Sequence, residues 1–132
     1  MTIRYKVIKR TNTDEIKALL HLFCDETGAD DEARDILIQR LPNMHICAAM
    51  NETGIVGVGG YYVIGAKAIF DFMYVVSEYR NMSIAGRIHR IGLKHAKERG
   101  IGKAVVFVNP DRTHLYKKIG YKEVFIVLEK EI

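Results

Sequence analysis

The 132-residue chain has no tryptophan, two prolines and two cysteines, and no apolar run long enough to cross a bilayer. With proline this sparse and no Pro/Gly/Ser-rich stretch, no linker divides the sequence, so residues 1–132 are expected to form one domain, compact from end to end. Cys24 falls in a helical pattern and Cys47 in an apolar strand pattern, and neither belongs to a C-x-x-C pair. Buried free thiols in a reducing compartment are therefore expected, not a disulfide framework. The opening MTIRYKVIKR alternates apolar and basic residues instead of building the apolar core of a secretory signal, so a cytoplasmic protein with no membrane partner is expected. The five histidines, His21, His45, His89, His95 and His114, show no zinc-type spacing with Cys or Asp, and no metal is expected. No arginine-rich run or interleaved aromatic and basic platform appears, which argues against nucleic acid as a partner. The net charge of +4 leaves room for a phosphorylated small molecule in a local basic pocket.

What is present is a regular alternation of strand and helix signals. Ile3, Tyr5 and Val7 alternate with charged residues, predicting a first strand. Asn12 with Glu15 three residues on is a capping box, and Ile16, Leu19, Leu20 and Phe23 recur at helical spacing, predicting a helix from Thr13 to Thr27 that Gly28 stops. Asp30 or Asp31 caps a second helix burying Ala33, Ile36, Leu37 and Leu41, closed by Pro42. Runs at His45 to Met50 and Ile55 to Ile64 form a hairpin, Lys67 to Val76 a central strand, Met82 to Arg99 a long helix, and Lys103 to Val108 a short buried strand. Strand, long helix and strand in succession predict a parallel crossover. Asn109-Pro110-Asp111 opens a short helix reaching Ile119, and Tyr121 to Glu131 reads as a last strand. The order predicts an α/β domain with a mixed sheet.

The segment Val75 to Gly86 stands where the central strand hands over to the long helix. Backbone N–H groups there lack helical acceptors and sit at the positive end of the helix dipole, which suits phosphate oxygens. Residues alone leave two readings open: a diphosphate cradle, or an ordinary polar loop whose helix is capped by Asn81 or Ser83.

The context favours the cradle. Arg80, Ser83 and Ala85 occupy the places of the Arg/Gln-x-x-Gly-x-Gly/Ala signature that follows the fourth strand in the GCN5-related N-acetyltransferase (GNAT) superfamily, with serine in place of the middle glycine. Asn109 to Tyr121 resembles that family's N-x-x-A-x-x-L-Y-x-K-x-G-F segment: Asn109, Leu115, Tyr116, Lys118 and Gly120 match, Tyr121 replaces Phe, and Arg112 stands where Ala is usual. The order of elements from residue 2 to residue 131 agrees as well.

The resemblance implies an α/β, GNAT-like (acyl-CoA N-acyltransferase) fold: a mixed, mostly antiparallel sheet, helices on both faces, and a splayed parallel pair made by the fourth and fifth strands. It implies an N-acetyltransferase in which an amine attacks the thioester of acetyl-CoA directly, with no metal. The backbone of Met73, Tyr74 and Val75 would bond the pantetheine and the thioester carbonyl. Arg80, Asn81, Met82, Ser83, Ile84 and Ala85 would hold the diphosphate, and Asn109 would contact the pantetheine, although Asn at that junction also serves as a cap. Donors fixed on the carbonyl stabilise the developing oxyanion, and positioning supplies much of the rest.

Tyr116 matches the family's general acid, against the reading of a core tyrosine; phenols keep their proton at neutral pH. Asp71 is the candidate base, expected to share a strand face with Met73 and Val75, with a structural carboxylate or a water chain as alternatives. The first two helices shape the acceptor site in the family, and here they hold Asp25, Glu26, Asp30, Asp31, Glu32 and Asp35. That points to a small-molecule amine of cationic character, unless these acids only serve the helix dipole and solvent. Many members also dimerise. The rival readings are a non-catalytic binding module with a degenerate cofactor loop, which Ser83 favours and Tyr116 opposes, and an acetyltransferase acting on a protein or aminoacyl-tRNA amine.

Overall fold

In a computed structural model, residues 2–124 and 126–132 are described. The chain runs β1 (Arg4–Ile8), α1 (Asp14–Thr27), α2 (Asp31–Arg40), β2 (His45–Asn51), β3 (Gly54–Ile64), β4 (Lys67–Val75), α3 (Ile84–Glu98), β5 (Lys103–Val106) and α4 (Thr113–Lys117). Short 3-10 turns occupy Leu41–Asn43, Ser77–Tyr79 and Pro110–Arg112. One sheet carries the strands in the order β1-β2-β3-β4-β5, antiparallel except for the parallel pair β4 and β5.

The sheet is sandwiched. On one face α1 lays Ile16, Leu20 and Cys24 onto Ile46, Val58, Phe72 and Tyr74. On the other, α3 lays Ile84 and Ile88 onto Cys47, Val56 and Val75, and Ala96 onto Tyr61 and Phe70. Each large side chain removed from water there contributes about 1.5–3 kcal/mol. Close approach depends on glycine at two places in β3. A Cβ on Gly57 would meet Ile84 Cγ2 at 2.9 Å, so α3 rests on bare backbone; a Cβ on Gly60 would run into the β2 backbone at His45 and Ile46.

Several boundaries differ from expectation for identifiable reasons. The cap of α1 is Thr13, whose side chain accepts from the Ile16 N–H at 3.3 Å. Glu15 instead accepts from the Ile55 N–H of β3 at 3.1 Å, so the capping box gives way to a tertiary bond. Asp30 caps α2 by accepting from Ala33 N–H at 2.8 Å. No residue of α2 is fully buried and Ile36 is 40% exposed; Leu41, on the turn after it, is the side chain that reaches the core.

The expected last strand from Tyr121 to Glu131 does not form among the described residues; Phe125, within it, lies outside them. Strand preference acts through cross-strand neighbours. Here β5 supplies four residues, all of them paired to β4, and among the described residues no ladder joins its other side to residues after Tyr121. Val124, Ile126 and Leu128 accordingly stand 67%, 80% and 90% exposed.

Candidate active site

The β4–β5 ladder pairs Lys67 with Lys103 through Phe70 with Val106 and then stops, while β4 continues to Val75 against β3. From Asp71 to Val75, β4 therefore has, among the described residues, a strand partner on one side only. At this fork lies a cleft of about 590 Å³, bordered by the end of α1, the end of β4, the loop into α3 and the connection after β5.

Met73, Tyr74, Val75, Arg80, Asn81, Ser83, Ile84, Ala85 and Asn109 border that one cleft, which brings together nearly all the cofactor residues expected from the sequence. Met82 is the exception; it is 54% exposed and outside the cleft wall. Phe23, Thr27 and Arg112 join the wall without having been anticipated; Tyr79 belongs to the expected loop segment, and Glu26, expected among the acceptor acids, stands in the wall beside the cofactor residues instead. Arg112 had a visible signal, its departure from the usual Ala; Phe23 and Thr27 had none, because their proximity is tertiary.

The loop is tied down from behind. The Val76 N–H donates to Val56 O and the Tyr79 N–H to Val76 O, both at 2.9 Å, and Asn51 Nδ2 donates to the Tyr79 hydroxyl at 2.7 Å. Asn81 and Ser83 are both left-handed, at φ 64° and 61°. Ser83 is the residue immediately before α3, and its side chain makes no capping bond; the first turn of α3 holds no acidic residue. The positive end of α3 is thus presented to the cleft with no carboxylate of its own first turn and no Ser83 hydroxyl bonded to it.

Arg80, its side chain 40% exposed, ties the end of β4 to the end of α1 at the cleft border. Its Nε donates to Val75 O at 2.8 Å, its Nη2 donates to Glu26 Oε1 and Oε2 at 2.7 and 2.9 Å, and its guanidinium lies 5.4 Å from the Tyr74 ring centroid. The Glu26 bond raises the guanidinium pKa further above its ordinary value. Other members of the acidic stretch are also engaged: Asp25 pairs with Arg34 at 2.7 Å and Asp30 caps α2.

Asp71 does not share a face with Met73 and Val75. Gly60 pairs with Phe72 and Tyr61 with Phe70, so Asp71 is an extra residue in β4, a bulge that shifts the alternation by one. Phe70 packs on the α3 side, Phe72 on the α1 side, and Met73 and Val75 again toward α3. Asp71 Oδ2 accepts from Arg40 Nη1 at 3.2 Å, the same nitrogen that reaches the Tyr62 hydroxyl at 2.9 Å, with Arg40 stacked 4.4 Å from the Tyr62 ring centroid. Asp71 Oδ1 is buried with no hydrogen-bond partner among the described residues. Burial pushes the Asp71 pKa up, and Arg40 opposes this only in part.

Tyr116, on α4, does not border the cleft. Its ring packs edge-on 5.6 Å from Tyr121 and 6.0 Å from His89. His89, buried on α3, has Nε2 2.8 Å from the Tyr121 hydroxyl and its ring 4.7 Å from Phe70. Burial lowers the His89 pKa and raises that of Tyr121 to about 12. Among the described residues no cluster of three or more His, Cys, Asp or Glu is arranged to hold a metal, and no helix is long and apolar enough to cross a membrane.

The model of the Acetyltransferase (GNAT) family matches residues 14–121. No curated protein matches the chain. Solved structures do. A GCN5-related N-acetyltransferase from Ralstonia eutropha JMP134 superposes with a TM-score of 0.80 at 16% identity, over 98% of this chain and 99% of the other. Glucosamine-6-phosphate N-acetyltransferase from Arabidopsis thaliana gives 0.72 at 18% identity, over 99% of both chains. Ribosomal-protein-alanine N-acetyltransferase from Brucella melitensis biovar Abortus 2308 gives 0.76 at 17% identity, again over 99% of both.

Proposed function

Since the chain belongs to the acetyltransferase (GNAT) family, we propose that it moves the acetyl group of acetyl-CoA to a primary amine by direct attack while both substrates are bound. The observation that carries this reading is the one-sided stretch of β4, Asp71 to Val75, leading straight to the N-terminus of α3. An extended pantetheine arm fits beside such an edge, and a diphosphate fits the N–H groups and guanidinium at its end. Acetyl-CoA brings an acetyl group already activated as a thioester; what remains for the protein is orientation, charge stabilisation and proton transfer.

In this reading the backbone of Met73 to Val75 aligns the thioester and donates to its carbonyl oxygen. The loop Arg80 to Ala85, with Arg112 also bordering the cleft, neutralises the diphosphate, and Asn109 bonds the pantetheine. Asp71, buried at Oδ1 and outside the cleft wall like Tyr116, receives the proton of the attacking amine through water. Tyr116 supplies a proton to the departing thiolate; such transfers are worth about 10²–10⁴-fold. The acceptor is a small cationic amine, drawn by Asp31, Glu32 and Asp35 on α2 and by Asp71. Of the relatives named above, one acts on a sugar amine and one on a protein alanine, so neither acceptor transfers to this chain.

One observation favours a second reading, a binding module without catalysis: Tyr116 stands outside the cleft. Steady-state assay with acetyl-CoA against polyamine, aminoglycoside, lysine-like, neutral and acidic amines separates the two. Turnover of cationic amines, lost by about 10²–10⁴ in kcat in Tyr116→Phe, is the expected result. Binding of acetyl-CoA without turnover of any amine supports the module, and absence of binding at millimolar acetyl-CoA refutes the cofactor assignment.

A further inference from the structure

Glu26 sits on the last turn of α1, where the helix dipole is negative and no basic residue of that turn offsets it. An acid is disfavoured there unless a cation from elsewhere reaches it, and Arg80 is that cation. The helix end is fixed: Gly28, at φ 71°, returns its N–H to Cys24 O, and Phe23 packs edge-on against Phe72 at 5.4 Å. The carboxylate is therefore held by its helix at the wall of the same cleft that Arg80, Ser83, Ile84 and Ala85 border.

Resting on the acetyl-CoA reading above, we propose that Glu26 is a ligand competitor built into the cofactor site: it occupies Arg80 in the free protein, and the cofactor diphosphate takes its place. The guanidinium fork sets the two in competition: either two-pronged face, Nε with Nη2 or Nη1 with Nη2, uses Nη2, which serves both Glu26 oxygens while Nε is committed to Val75 O, so a bidentate diphosphate contact must displace Glu26. A diphosphate seated at the N-terminus of α3 and bound by Arg80 brings a second anion against the first, and repulsion at such range is relieved only when Glu26 turns away. Glu26 thus lowers cofactor affinity and returns to Arg80 as the spent cofactor leaves. It is a positioning residue for Arg80, with no part in the chemical step.

Calorimetric titration of the full chain with coenzyme A, at low and at moderate salt, tests this in wild type, Glu26→Gln and Asp25→Asn. Glu26→Gln is expected to bind coenzyme A about three- to fivefold more tightly, the gain shrinking with salt. Asp25→Asn removes the neighbouring charge, paired with Arg34 and not bordering the cleft, and should change affinity by less than about twofold. Pantetheine, which lacks the diphosphate, should bind wild type and Glu26→Gln alike. Wild-type binding with no gain in Glu26→Gln, an equal gain in Asp25→Asn, or an equal gain for pantetheine overturns the proposal while leaving the cofactor assignment standing. Failure of both wild type and Glu26→Gln to bind coenzyme A overturns the assignment and this proposal together.

Discussion

Replacing Ser83 by glycine should stabilise the protein and leave its cofactor site intact. Ser83 holds φ 61°, ψ 19°, a left-handed conformation that costs a residue with a Cβ about 1–2 kcal/mol. Its hydroxyl recovers none of this through capping, since its side chain makes no such bond to α3. Glycine removes the strain but gives the unfolded chain more freedom, a loss of about 0.5–1 kcal/mol. The net gain is about 0–1.5 kcal/mol, with a midpoint of about 0.75. In a domain of this size the midpoint raises Tm by about 2–3 °C. Thermal unfolding followed by circular dichroism measures it, with Ser83→Ala as the control: alanine keeps the Cβ and loses only the hydroxyl, so its Tm should stay within about 1 °C of wild type. Coenzyme A affinity of Ser83→Gly should be unchanged or improved. A lower Tm in Ser83→Gly refutes the strain argument, and a large loss of affinity in either variant shows that the hydroxyl is itself a phosphate ligand.

Asp71 must be ionised to accept a proton, and burial raises its pKa, so kcat/KM should climb with pH to a plateau, with an inflection above the ordinary carboxylate value of about 4. Asp71→Asn should abolish that limb; a profile that keeps it in the variant assigns the base elsewhere. Burial lowers the pKa of His89, so its contribution to stability is full above the ordinary histidine value of about 6.5 and is lost as pH falls through the lower folded value. Wild-type Tm should therefore drop as pH falls below about 6.5, less steeply in His89→Gln, and parallel curves would count against a buried neutral imidazole. Gly60→Ala drives a Cβ into the β2 backbone at His45 and Ile46, which cannot yield as a side chain tip can, and should cost about 3 kcal/mol or more in denaturant unfolding.

Much of this was legible in the chain as a string. The helical spacing of Ile16, Leu20 and Ile88 is a local property of the sequence, and each of these side chains is buried as that spacing requires. The loop after β4 was legible as well, because Arg80, Ser83 and Ala85 are contiguous and a helix N-terminus carries its unpaired N–H groups wherever it lies.

What only the tertiary structure decided depends on partners distant in sequence. Strict alternation along Lys67 to Val75 puts Asp71 beside Met73; one extra residue opposite Gly60 and Tyr61 turns it to Arg40 and Tyr62 instead. The apolar run after Tyr121 has strand composition and, among the described residues, no ladder to join. Glu26 and Arg80, 54 residues apart, meet because the end of α1 packs over the end of β4. The sequence by itself determined which segments could be helix or strand and where the loop proposed to bind phosphate stands, since those follow from spacing of three to four residues or of two. Register, the bulge and the ion pair across the cleft were decided by the fold, because each is a contact between backbones or charges that no local pattern brings together.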